Sequence, residues 1–174
     1  MPHPLFERHA ATIERALAAI VERGYWSPYS ESPSPKVYGE GAAEAGKAAF
    51  DALVGQPFAL DQAGTVGTVG REVSPFGFPL GITYPRADPD VLFAAIATAE
   101  RGWRNAGPEA WVGVCVEILH RINRQSFLFA HAVMHTTGQA FMMAFQAGGP
   151  HAQDRGLEAV AYAHEEQTRT PATA

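Results

Sequence analysis

Apolar residues recur at helical spacing along much of the chain, and breakers cut that pattern into segments. Leu5, Ile13, Leu17, Ile20 and Val21 follow one another at such intervals until Gly24, which predicts a first helix ending there. Tyr25 to Tyr38 carries Pro28, Pro33 and Pro35 among Tyr25, Trp26 and Tyr29. Proline at that density removes donors and forbids a helix, so this stretch is expected to run extended, with its aromatics pinning it to the body of the protein. Glu40 to Leu53 is alanine-rich and reads as helix, closed by Gly55 and Pro57.

From Phe58 to Tyr84, glycine spacing and the β-branched Val66, Val69, Val73, Ile82 and Thr83 predict short strands joined by turns. Asp88 can then accept from first-turn N–H groups, and Pro89 loses nothing at the first helical position. The stripe Leu92, Ala95, Ile96, Ala99 and Trp103 gives that helix one apolar face. Gly107-Pro108 starts another, with Val112, Cys115, Val116, Leu119 and Ile122 as its buried side. Ser126 is a candidate cap for a helix carrying Phe127, Ala130 and Met134, interrupted at Thr136-Thr137-Gly138. Gln139 to Ala147 makes a short helix, and Gly148-Gly149-Pro150 stops it. A last helix is expected from about His151 to Glu166, with fraying from Thr168 onward. The predicted class is α+β, mostly helical with a small β hairpin or sheet. The expected division is 1–57 as a helical and extended N-terminal part, 58–168 as the main region and 169–174 as a frayed tail.

Composition narrows the possible functions. At 174 residues and 47% hydrophobic, the chain fits one domain or a large part of one, with enough material for a core. A formal net charge of -5 argues against a nucleic-acid partner. No apolar run approaches a bilayer span, so no membrane partner is expected. Met1-Pro2-His3-Pro4 lacks the basic and apolar regions of a secretory leader, and Cys115 alone cannot form an internal disulfide. Together these predict a cytoplasmic protein. There is no internal repeat beyond the local duplication Thr65-Val66-Gly67-Thr68-Val69-Gly70.

Each candidate for chemistry has a plainer reading. Cys115 sits in a helix interior among Val, Ile and Leu, away from the helix N-terminus or cation that would activate a thiolate, so a buried structural thiol is expected. His131 and His135, four apart, share a helix face and could hold a metal, but zinc needs a third ligand. His120, His151 and Glu158 are possible contributors, though no spacing selects them. Gly64, Gly67 and Gly70 suggest a phosphate cradle, yet Arg71-Glu72-Val73-Ser74-Pro75 follows where a helix should open, and neither Lys36 nor Lys47 completes a P-loop. Tight turns between strands are expected there. Glu165-Glu166 reads as a solvated face, and Asp88 with Asp90 as a helix start. Met142-Met143 beside Phe141 and Phe145 is a packing patch, or an interaction surface if exposed. No catalytic, cofactor-binding or metal site is complete.

From Val66 through Ala163 the chain resembles the N-terminal region of the aldehyde dehydrogenase superfamily. The carriers are the glycine- and valine-rich hairpin, Ala94-Ala95 to Trp103-Arg104, Gly107-Pro108-Glu109, the run Cys115 to Ile122 and the Thr137-Gly138-Gln139 turn. Within that superfamily several segments resemble phenylacetate-degradation proteins of the PaaN type: Gly24-Tyr25-Trp26-Ser27, Glu31 to Pro35, Ala132 to Phe145 and Gly148 to Gly156. Thr136, Gln139 and Trp111 depart from residues usual in the wider family. The resemblance implies the N-terminal part of an α/β fold. It also implies a parent reaction in which an aldehyde from a ring-opened, CoA-linked compound is oxidised with NAD or NADP. The family's cysteine nucleophile, glutamate base, oxyanion-hole asparagine and nucleotide turn lie C-terminal to the matched region, and Cys115 does not match the nucleophile motif. A non-catalytic portion follows, with no cofactor of its own. Its expected partner is the remainder of such an enzyme, or another copy through apolar helices. Two other readings stand beside it: an autonomous helical interaction module using the Phe141–Phe145 patch, and a small metal-binding protein built on His131 and His135.

Overall fold

The first apolar run is not one helix. In the computed structural model, which describes residues 3–169, it divides into α1 (Pro4–Arg8) and α2 (Ala10–Glu22). The break is His9, whose backbone leaves the helical basin at φ -107 and ψ 12 while its ring turns inward. α2 ends on Arg23 in the left-handed conformation, one residue before the expected Gly24. The aromatic segment that follows runs extended as expected, with Tyr29 buried, apart from one turn of helix, α3 (Pro35–Tyr38). Proline did not forbid this turn because Pro35 occupies its first position, where the missing N–H has no partner to lose, and Ser34 caps it by accepting from Lys36 N.

α4 (Ala42–Asp51) leads into a two-stranded antiparallel ribbon, β1 (Thr65–Val69) with β2 (Tyr84–Ala87), bulged between Thr65 and Gly67. Val73, Ile82 and Thr83 lie outside the strands; Val73 and Thr83 make only isolated bridges. Ile82 instead joins Leu80 in packing against Phe50 of α4, so burial rather than strand pairing uses its β-branched side chain. The glycines do not turn tightly between strands: Gly67 lies inside β1, with Gly64 before it and Gly70 after it.

Five helices complete the chain: α5 (Pro89–Ala106), α6 (Pro108–Asn123), α7 (Ser126–Thr137), α8 (Phe141–Gly148) and α9 (Pro150–Arg169). Asp88 caps α5 as expected, accepting from Asp90 N at 2.9 Å. Ser126 does not cap α7. It is already helical, and its hydroxyl donates to Asn123 O at 2.7 Å, joining the start of α7 to the end of α6. α9 stays helical through Thr168 and Arg169, past the expected start of fraying; the rest of the expected tail, 170–174, lies outside the described residues.

Two clusters hold the helices together. Ile13 and Ala16 of α2, Val112 and Val116 of α6, and Leu157 and Ala161 of α9 enclose Tyr29. Phe127 and Ala130 of α7 meet Phe145 of α8, with Tyr38 standing edge-on to both phenyl rings. Close approach depends on glycine where α1 crosses α6: a Cβ on Gly113 would come within 2.6 Å of Phe6 N and 2.9 Å of Leu5 C, which are backbone atoms with no room to yield. Gly113→Ala is therefore expected to lower stability by about 1–3 kcal/mol, the usual range for overpacking. The denaturant midpoint checks this, and an unchanged midpoint would show that α1 is not docked as described.

Candidate functional site

α5 has the sequence of a packed helix and the surroundings of a free one. Its apolar stripe is not buried. Only Leu92 is partly covered, while Phe93 is 68% and Ile96 62% exposed and Trp103 stands half in solvent. The helix contacts α6 near Gly107, where Trp111 Nε1–H donates to Trp103 O at 2.6 Å and the two indoles lie 6.4 Å apart. Trp111, one of the departures from the wider family, thus has a packing role at this corner. Val66 and Val69 of the ribbon and Phe76 and Phe78 of its connection are also exposed. The whole chain presents 11258 Å² of surface, whereas a folded monomer of 18.7 kDa exposes about 8,300 Å². The excess, about 3,000 Å², is on the scale of a large permanent interface.

The residues singled out for chemistry separate into structural roles. Cys115 is half-buried in the interior of α6, less covered than expected. His131 and His135 do share one face of α7, and that face packs on Phe50: the His135 ring stacks on it at 4.8 Å and 3°, and His131 lies 6.2 Å away. Burial, then the nearby Lys47, pushes the His131 pKa down. His135 Nδ1 is 2.9 Å from Ser74 Oγ. Among the described residues no group of three potential ligands converges, so the histidine pair lacks the third ligand a zinc site requires. His120 lies instead beside His9, and His151 pairs with Glu31 and Glu158 with Arg155. Phe145 is fully buried, which removes it from any surface patch; Met142 and Met143 remain exposed on the other side of α8.

The glycine stretch does not fit a dinucleotide. The space a Cβ would take at Gly70 is filled by Ile82 O at 2.1 Å, so the chain folds against itself there rather than around a phosphate. The N-terminus of the following helix, α5, is already occupied by the Asp88 carboxylate.

A buried charge cluster escaped the sequence reading. Glu117 of α6, its side chain 7% exposed, accepts from Arg121 Nε at 2.7 Å, from His9 Nε2 at 2.7 Å and from Arg8 Nη1 at 3.5 Å. Gly113, one turn earlier, lets α1 close enough for His9 to reach it. The available signal was a Glu–Arg pair four apart beside an apolar stripe. Hydrogen bonds from Arg121 and then His9 hold the Glu117 pKa down to about 2, from its ordinary 4.5. A depressed carboxyl contributes stability that is complete above about 4.5 and is lost as pH falls toward 2. The difference in stability between the natural chain and Glu117→Gln should therefore shrink on acidification through that window, as read by thermal melting at each pH. A difference that stays constant would show that the carboxylate is not paired as described.

No family model matches the chain, and no curated protein matches it. Among solved structures, it is similar to the NAD-dependent aldehyde dehydrogenase from Burkholderia multivorans, with a TM-score of 0.94 and 62% identity over 99% of this chain. An identity that high along the same backbone course marks common descent with that segment of the matched enzyme. It spans 31% of the length of the matched protein. The mostly helical architecture with its two-stranded ribbon agrees with the expected class. Among the described residues no helix is long and apolar enough to cross a membrane.

Proposed function

We infer that this chain is a non-catalytic scaffold portion of an aldehyde dehydrogenase, built to dock on the remainder of such an enzyme through α5 and the ribbon. The observation that carries this reading is α5. It is an eighteen-residue helix with an apolar stripe and no buried residue, in a chain that aligns along 99% of its own length but with only 31% of its relative. A helix of this kind gains most of its stability from packing, so it needs a covering surface. The parent reaction would be NAD-dependent oxidation of an aldehyde in the cytoplasm. The runs Gly24 to Ser27 and Ala132 to Phe145 favour a PaaN-type parent acting on a ring-opened, CoA-linked aldehyde in phenylacetate breakdown.

The purified chain is expected to give no NAD-dependent aldehyde oxidation. Supplied to the Burkholderia multivorans enzyme from which the matched segment has been deleted, it is expected to bind. Turnover by the chain alone would overturn the non-catalytic reading, and failure to bind would overturn the docking.

A further inference from the structure

We propose that the groove between α2 and α9 binds a small aromatic carboxylate, its ring held between Trp26 and Tyr162 and its carboxylate on Arg23. The groove has a volume of about 570 Å³, inside the ~300–1,000 Å³ span of small-molecule sites. Its floor is apolar and shallow-chained, with Ala16, Leu157 and Ala161 all buried. It uses no residue of α5 and does not rest on the docking of that helix.

Three features point to a prepared site. First, the aromatic wall is fixed. Tyr25 is 75% exposed, yet its hydroxyl donates to Asp154 Oδ2 at 3.0 Å, and Ser27 Oγ donates to Asp154 Oδ1. Asp154 is itself buried, so one carboxylate clamps the loop on both sides of Trp26, leaving the Tyr25 ring in solvent and the Trp26 ring half-buried against the core. A ring ordered before binding loses little freedom when a ligand stacks on it. Second, Arg23 is the one non-glycine with positive φ among the described residues, at φ 53. Gly24 follows immediately and could hold that conformation without a Cβ penalty, so the arginine is kept where it costs stability. Third, the groove is lined by two cations, Arg23 and Arg155, and two carboxylates, Asp154 and Glu158, and of these only the Arg23 side chain has no hydrogen-bonded or ionic partner among the described residues. Asp154 is satisfied by two hydroxyls and Arg155 pairs with Glu158 at 2.5 Å, while no carboxylate of the described residues pairs with Arg23. The uncommitted charge is a guanidinium, which favours a carboxylate, and the walls favour a flat ring.

The test is a titration of the chain with benzoate, followed by NMR at the Trp26 indole, with benzamide as the uncharged counterpart and cyclohexanecarboxylate as the non-aromatic one. Benzoate should give saturable shifts at Trp26 and none at Trp103 or Trp111, and should bind about tenfold more tightly than either counterpart. Arg23→Gly separates recognition from folding: its melting temperature should hold or rise, because glycine meets the positive φ without strain, while benzoate affinity falls to that of benzamide. Tyr162→Ala should weaken benzoate and benzamide together. The proposal is overturned by the absence of a saturable Trp26 shift, by equal affinity for benzoate and benzamide, or by undiminished benzoate binding in Arg23→Gly. Equal binding of cyclohexanecarboxylate would overturn the aromatic assignment.

Discussion

Phe145→Ala is expected to cost about 3–5 kcal/mol, the range measured when a fully buried phenyl ring is removed and the space cannot close. Phe145 has no exposed surface, and its ring meets Phe127 at 5.1 Å, Tyr38 at 5.5 Å and Phe141 at 6.1 Å. These partners come from α3, α7 and α8, so no single element can move inward to fill the hole without dragging the others. Single domains have about 5–15 kcal/mol in total, and a chain with this much uncovered surface is expected near the low end. The variant should therefore be largely unfolded near 37 °C, and its denaturant midpoint should drop with an unchanged slope. A loss below about 1 kcal/mol would show that α8 is not packed on α7. By contrast, Met143→Ala, on the exposed side of the same helix, should change stability by no more than about 0.5 kcal/mol.

The parts of this fold that were legible in the sequence are those set by local chemistry. Asp88-Pro89 had to open a helix, Gly138 had to close one, and Val112 with Val116 had to face inward, because each outcome depends on neighbours within a turn or two. What escaped depends on distant contacts. Nothing near His9 indicates a helix break; its cause lies in Glu117, more than a hundred residues away, where a buried carboxylate needs a donor. Gly113 carries no local signal of its role, which is set by α1 lying across it. Val73, Ile82 and Thr83 have strand propensity, but propensity records only a fit to a half-buried surface, and Phe50 offered Ile82 one without a ladder. The candidate site shows the same limit in reverse. Periodicity correctly identified an apolar face on α5 but could not say whether this chain supplies the surface to cover it.

That face makes a prediction whose sign differs from that of a core. Replacing Phe93 and Ile96 together with serine should leave the stability of the isolated chain within about 0.5 kcal/mol, because both side chains already stand in water. Had either been buried here, the same change would cost several kcal/mol. Removing the pair should also reduce self-association, since a contiguous exposed apolar surface promotes it. Docking should respond oppositely. If α5 is covered in a complete assembly, these side chains lie at the centre of an interface, where losing anchors costs about 2 kcal/mol or more, a weakening of about thirtyfold. Binding to the Burkholderia multivorans enzyme lacking its matched segment, read by calorimetry alongside melting of the chain alone, separates the two effects. Hydrogen exchange adds a second reading: amides from Phe93 to Trp103 should exchange quickly in the isolated chain and slowly in the complex, while those of α6 are protected in both. A variant that melts much earlier yet docks as well as the natural chain would mean that α5 is stabilised from within, and that the surface excess lies elsewhere.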